Sequence, residues 1–298
     1  MSQKLSEGSM SLYLELLRAE SGISSEVLER VRRRPDEFLA YHPRVRFPGR
    51  VVRDFNSGSP ISEAMTGRQW LLSVGIEEVP ESLLPNEWER YAVKVVNALG
   101  FRGVQFGESA MTALGLYVPV VVNVNGVRVP RYYDYVFSDS VWAGGVVERL
   151  CRDEHGTPKF MCTDVNRWDG EWTGRIGVFH LSDLCDVSKH LAVACALWAF
   201  NVRRTFEYLR VRSSTCLLES LEEPCNVLGR RVGFHVSLPG LVAGMHLVGP
   251  NRMMRFLRGG DSPSDEYGTD VILYLKKFST YGLPELFYSM LDDPSLAQ

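Results

Sequence analysis

The chain has 298 residues, 45% of them hydrophobic, with 33 Lys plus Arg against 36 Asp plus Glu and a formal net charge of -3. That length is one large domain or a medium domain with an appendage, and the composition supports a sizeable buried core rather than wholesale disorder. The near-neutral balance supplies no global field to hold nucleic acid or an anionic membrane, and the longest apolar run, Leu191 to Phe200, is about half the length of a bilayer span.

Residues 12–34 read as an amphipathic helix or helix pair that ends in Arg32-Arg33-Arg34 before Pro35. Between Arg30 and Arg53 there are eight arginines and two acidic residues, interleaved with Tyr41 and Phe47. This Arg30–Arg53 segment either grips an anionic partner, such as an acidic protein surface, or lies as a solvated arm on the main domain. Pro35, Pro43, Pro48 and Gly49 preclude a continuous basic helix, which favours the arm. Ser57-Gly58-Ser59-Pro60 reads as a linker. The expected organisation is an N-terminal extension over 1–60, a main domain over 61–285 and a tail over 286–298.

In the main domain, a helix is predicted over Glu63–Gly75 and a stronger one over Pro85–Leu99. In the latter, Trp88, Tyr91, Ala92, Val95, Val96 and Leu99 fall at helical spacing and Gly100 supplies a stop. A short helix over Ser109–Leu116 precedes a β-branched stretch, Val118–Val129, whose central Asn125-Gly126 is a hairpin signal. Residues 141–151 are weakly helical, and Asn166–Gly177 is a loop rich in Trp and Gly. Long apolar helices follow over 186–211 and 239–257, and a last helix over 270–279. The fold class is α+β, predominantly helical, with one small β-hairpin.

The six cysteines form no Cys-x-x-Cys pair, and Cys195 within an apolar helical run reads as a small buried hydrophobe. Cys151 with Cys162, or Cys216 with Cys225, lie near enough in sequence to bridge; free thiols are the reading adopted. His155 and His180 lack zinc-site spacing, so neither a metal nor a cofactor is expected. The polar Met1–Met10 segment has no secretory pattern, and the expected location as synthesised is cytoplasmic.

Three segments place Gly, Trp and polar residues where a plain core would not. The first runs from Asn97 to Gly115 and contains Gly103-Val104-Gln105-Phe106-Gly107-Glu108; the second runs from Asn166 to Val178 and contains Trp168-Asp169-Gly170-Glu171-Trp172-Thr173-Gly174. The third is Gly240 to Asn251, with His246 and Gly249-Pro250, followed by Asp265 to Thr269. In this order they resemble a lysozyme-like family related to the soluble lytic transglycosylases. The family's signatures are Gly-x-Tyr-Gln-Phe-Gly-Glu, Trp-x-Gly-x-Trp-Thr-Gly-Lys and Ala-His-Leu-x-Gly-Pro. The resemblance covers roughly residues 85–280.

It implies a lysozyme-like domain that cleaves the glycan strand of peptidoglycan with a single glutamate, assisted by the substrate's own N-acetyl group. Such an acid must be desolvated to stay protonated near neutral pH. In the family that glutamate ends the helix before the Gln-Phe-Gly segment, as a Glu-Ser pair. The matching stretch here, Glu87 to Asn97, has no such pair, and Glu87 or Glu89 is the expected acid. About 200° separates their directions on a helix, so one of the two faces the cleft. The family's tyrosine is Val104 and its lysine is Arg175. Glu20, in Glu20-Ser21-Gly22, mimics the pattern, but 84 residues lie between it and Gln105, and it reads as a charged position on a surface helix.

Substrate-binding candidates are Gln105, Phe106, Glu108, Trp168, Trp172 and His246. Gln105 hydrogen-bonds a sugar amide or ties two backbone segments together. Glu108 at a helix start reads first as a dipole and cap residue. Trp168 and Trp172 stack on sugar faces or staple an irregular loop, and His246 on an apolar helix reads as a satisfied core residue. Gly249-Pro250 ends that helix, and Asp265 and Thr269 cap the next. Two functions remain open. One is a muramidase or lytic transglycosylase, delivered by an injection or phage device. The other is a lysozyme-fold protein without catalysis, built into a larger intracellular assembly.

Overall fold

A computed structural model describes residues 11–39, 65–79, 84, 87–97, 100–124, 126–135, 152, 154–156, 159–162, 166–209, 219–264 and 269–293. Arg44, Arg46, Arg50 and Arg53, the linker at 57–60, the 141–151 helix, Cys151, Cys216, Asp265 and the last five residues lie outside them. The class is predominantly helical α+β.

The N-terminal stretch forms a helix pair. Helix α1 (Leu12–Ser21) ends at Gly22, whose left-handed backbone (φ 70°) lets its N–H close onto the Arg18 carbonyl. Helix α2 (Ser25–Arg33) starts where the Ser24 hydroxyl accepts from Val27 N–H. Leu12, Leu16, Leu17, Ile23 and Leu28 are completely buried in one core cluster with residues beyond 60, so the packing crosses the boundary expected there. Strand β1 (Phe38–Leu39) pairs antiparallel with β2 (Met65–Thr66), and α3 (Gly67–Ser73) follows on a Thr66/Gln69 capping box.

The helix expected over 85–99 shortens to α4 (Trp88–Ala92). Its apolar periodicity is real, but Val95 and Val96 are β-branched and find partners outside the helix. Val96 N–H donates to Val74 O and bridges to Arg102, while Val95 O accepts from Gly103 N–H. Helix α5 (Glu108–Ala113) leads to β3 (Tyr117–Val118). Strands β4 (Val121–Val124) and β5 (Val127–Pro130) form the hairpin that Asn125-Gly126 announced, with Val121 opposite Pro130 and Gly126 at φ 87°. Strand β6 (Tyr133–Tyr135) pairs with β7 (Phe160–Cys162), and β8 (Glu171–Trp172) pairs with β3.

After two 3-10 turns, Arg175–Gly177 and Leu181–Cys185, the core is organised on α6 (Val187–Leu209). Val193 to Ala199 are buried all round, the signature of a central helix. Helix α7 (Glu219–Val232) precedes α8 (Leu238–Val248) and α9 (Pro250–Leu257), which are separated at Gly249 (φ 76°). Helix α10 (Val271–Phe278) is capped by Asp270, which accepts from Ile272 N–H; the cap expected from Asp265 and Thr269 falls one residue later. Helix α11 (Glu285–Leu291) packs on α6 with Phe287 and Leu291 buried, so the expected tail begins inside a core helix.

Gly240 and Gly244 let α8 and α10 approach closely. A Cβ at Gly240 would lie 2.8 Å from Leu275 O, and one at Gly244 would lie 3.1 Å from the Val271 side chain. Helix α10 is tied to α1 by the Lys277–Glu15 ion pair (3.0 Å), and Leu12 N–H donates to Gly282 O just beyond α10 (2.9 Å). This packing decides what faces the last turn of α1. Among the described helices none is long and apolar enough to cross a membrane.

Candidate active site

Glu20 is the penultimate residue of α1. Around it the helix end is fixed: Ser21 Oγ donates to Leu17 O (2.6 Å) and accepts from Ile23 N–H (3.1 Å). Two contacts reach Glu20 from distant elements. The Tyr274 hydroxyl of α10 donates to Glu20 Oε1 (2.9 Å), and the Gln105 side-chain amide donates to the Glu20 backbone carbonyl (3.2 Å). Both side chains and Glu20 are half-buried.

Gln105 sits on a narrow turn in which Arg102 and Phe106 exchange both backbone hydrogen bonds, at 3.1 and 2.9 Å. Its own φ is 64°, a left-handed conformation uncommon for a side chain of this kind. Its amide oxygen accepts from Asn97 Nδ2 (2.8 Å), and Asn97 Oδ1 in turn accepts from Phe101 N–H (3.1 Å). Gln105 therefore ties chain segments together at both ends of its amide, one of the two roles expected for it. Phe106 is fully buried and serves the core.

Beneath the turn lies a histidine that sequence reasoning missed. His190 of α6 is buried, with Nδ1 2.9 Å from Leu184 O and Nε2 3.3 Å from the Val104 nitrogen. These partners assign the proton to Nδ1, so that Nε2 accepts from Val104 N–H. Burial is the main cause that pushes His190 down to about 4, and Arg102 and His246 add to it. A Cβ at Gly103 would meet the His190 ring at 2.0 Å, so only glycine fits there. His246 of α8 is likewise driven down to about 4 by burial, opposed by a hydrogen bond with the Val104 backbone. Its Nε2 is buried without a partner among the described residues, and the Trp198 ring lies edge-on at 6.4 Å. His246 is thus a core residue beneath the turn.

The second motif folds as a staple. Glu108 is 2% exposed, and its Oε1 accepts from the backbone N–H groups of Arg167 and Trp168, while its own N–H donates to Asn166 Oδ1 (2.7 Å). Trp168, at φ 56°, donates through Nε1 to Gly100 O (2.7 Å) and stacks on Trp172 at 5.6 Å between centroids. The Tyr117 ring meets both indoles edge-on, and Tyr117 Oη accepts from Gly170 N–H. Thr173 and Arg175 donate to Gly115 O and Leu114 O, closing the loop onto the end of α5. Glu108, Trp168 and Trp172 have structural occupations here.

The two glutamates expected as acids sit elsewhere. Glu87 Oε2 accepts from Leu84 N–H (3.0 Å), and Oε1 lies 3.8 Å from Arg90 Nη1. Burial raises the Glu89 carboxyl, and its charge acts on Tyr13. Tyr13 lies seven residues before Glu20 on α1, about 10 Å along the helix axis. The Gln105 amide bonds to Asn97 and Glu20 and to neither of these carboxylates.

Elsewhere, three arginines of the Arg30–Arg53 segment form ion pairs: Arg30 with Glu37 (2.8 Å), and Arg32 and Arg33 with Glu29 (2.7 and 2.5 Å). Cys185, Cys195 and Cys225 are free thiols, and burial raises the latter two to about 12. No cluster of three or more His, Cys, Asp or Glu among the described residues could hold a metal ion. The chain matched no protein-family model, no curated protein and no solved structure.

Proposed function

We propose that the chain is a peptidoglycan-cleaving glycosidase of the muramidase or lytic transglycosylase type, with Glu20 rather than Glu87 or Glu89 as its single general acid and base. The observation that carries this reading is the bond from the Gln105 amide to the end of α1. It joins the Gly-x-Gln-Phe-Gly segment to a Glu-Ser-Gly helix end, the pair that the resemblance requires and that residues 87–97 lack. Tyr274 donating to Oε1 helps hold the carboxyl in one orientation.

In the proposed reaction Glu20 donates its proton to the glycosidic oxygen. The C1–O bond breaks with its electron pair leaving on that oxygen, and the substrate's N-acetyl oxygen bonds to C1. The Glu20 carboxylate then takes a proton from the sugar's own 6-hydroxyl, whose oxygen bonds to C1 as the bond from C1 to the N-acetyl oxygen breaks, its electron pair returning to the acetamide, to give an anhydro product. Taking that proton from water instead gives hydrolysis.

Digestion of purified peptidoglycan with product analysis by mass spectrometry tests the assignment. Glu20→Gln is expected to lower turnover by ~10²–10⁴-fold, the usual contribution of a general acid, while Glu89→Gln leaves it within about threefold. Loss with Glu89→Gln and retention with Glu20→Gln would return the acid to α4. No release by folded wild-type protein would favour the non-catalytic reading, in which the Gln105 amide is simply a structural tie.

A further inference from the structure

Glu20 depends on a support that begins two elements away. The last four carbonyls of a helix lack intrahelical donors. On α1 the Arg18 carbonyl is served by Gly22 N–H, and the Glu20 carbonyl by the Gln105 side chain. Gln105 reaches it from a left-handed backbone position, which persists only where the surrounding structure holds the turn. Two things hold it. Arg102 and Phe106 clamp the ends of the turn, and His190 Nε2 accepts the buried Val104 N–H at its centre. His190 is itself immobilised by Leu184 O on its other nitrogen, by the Phe106 ring at 4.5 Å between centroids and by the glycine at 103.

We propose that His190 is a positioning residue for Glu20, acting through the Val104–Gln105 turn rather than by touching substrate. The inference rests on Glu20 as the acid for its kinetic consequence, and on geometry alone for the physical link. His190, Val104, Gln105 and the Glu20 carbonyl form one continuous run of hydrogen bonds and covalent backbone. Breaking its first member leaves Val104 N–H unsatisfied and frees Gln105 to leave α1.

The test compares the full-length wild type with His190→Leu and His190→Gln. Leucine removes the acceptor, whereas the glutamine amide oxygen can replace Nε2. Three readouts are taken: hydrogen exchange at Val104 N–H, the 13C signal of the Glu20 carboxyl, and kcat and KM for release from peptidoglycan. In folded His190→Leu, exchange at Val104 is expected to rise at least ~10-fold and the Glu20 signal to move. There kcat falls ~10–100-fold while KM stays within about twofold, the pattern of a misplaced catalytic group. His190→Gln recovers most of all three.

An unchanged Glu20 signal in a folded His190→Leu protein would overturn the proposal. If that variant does not fold, Gln105→Leu cuts the same link at a half-buried side chain, and an unmoved Glu20 signal there is equally fatal. Should wild type release nothing from peptidoglycan, the glycosidase reading fails by itself, and the exchange and carboxyl readouts still decide the link.

Discussion

The two histidines beneath the Gln105 turn are neutral because burial disfavours their charged forms, and this gives the fold an acid-sensitive point. Both are pushed from the ordinary 6.5 down to about 4. The unfolded chain therefore binds protons first as pH falls. The stability owed to the neutral rings is complete above about pH 6.5, drains away between 6.5 and 4, and changes no further below 4. For each ring the loss is on the order of a few kcal/mol. Urea unfolding at pH 7, 6, 5 and 4 should show it, and His190→Gln should flatten the pH dependence over that window. Parallel pH profiles for the two proteins would mean that His190 is not the group responsible.

Helix ends, more than helix interiors, fix the elements that frame the site. Arg203 of α6 donates from Nε to Leu291 O (3.0 Å) and from Nη2 to Met290 O, satisfying the last carbonyls of α11 from a buried position. Arg203→Met keeps the bulk and removes both donors. It should lower the free energy of unfolding by about 1–3 kcal/mol, the cost of leaving buried carbonyls unpaired, with the loss read from chemical denaturation. A change below about 0.5 kcal/mol would show that α11 is held by Phe287 and Leu291 alone. The shortened α4 follows the same logic in reverse. Its apolar spacing continues to Val96, but β-branched residues exchange helical bonds for bridges to Val74 and Gly103, and the chain is freed to make the Gln105 turn.

At the scale of the whole molecule the N-terminal helices are inseparable from the rest. Leu12, Leu16, Leu17, Ile23 and Leu28 are completely buried, and each is worth about 1.5–3 kcal/mol of burial. Together they rival the ~5–15 kcal/mol net stability of a domain. A fragment covering residues 61–298 should therefore lack a cooperative thermal transition and the near-ultraviolet circular dichroism of packed aromatics. A folded fragment with the full-length spectrum would restore the boundary at 60.

Read alone, the sequence determined the local pieces. Asn125-Gly126 specified a hairpin through its tolerance of positive φ, Gly249-Pro250 broke a helix, and the apolar run around Cys195 marked the central helix. The Gly-x-Gln-Phe-Gly turn was also visible, because its glycines answer to backbone geometry within a few residues. The tertiary structure alone decided which glutamate meets that turn. Glu20 and Gln105 are 85 residues apart in sequence and belong to different parts of the fold. Periodicity reports which face of a helix is apolar, and it carries no information about which distant loop packs against the helix end. That outcome was set by Gly240 and Gly244 drawing α10 onto α8, by Lys277 and Gly282 fastening α10 to α1, and by His190 rising under Val104. All of these are contacts between segments far apart in the chain, so no local pattern could have announced them.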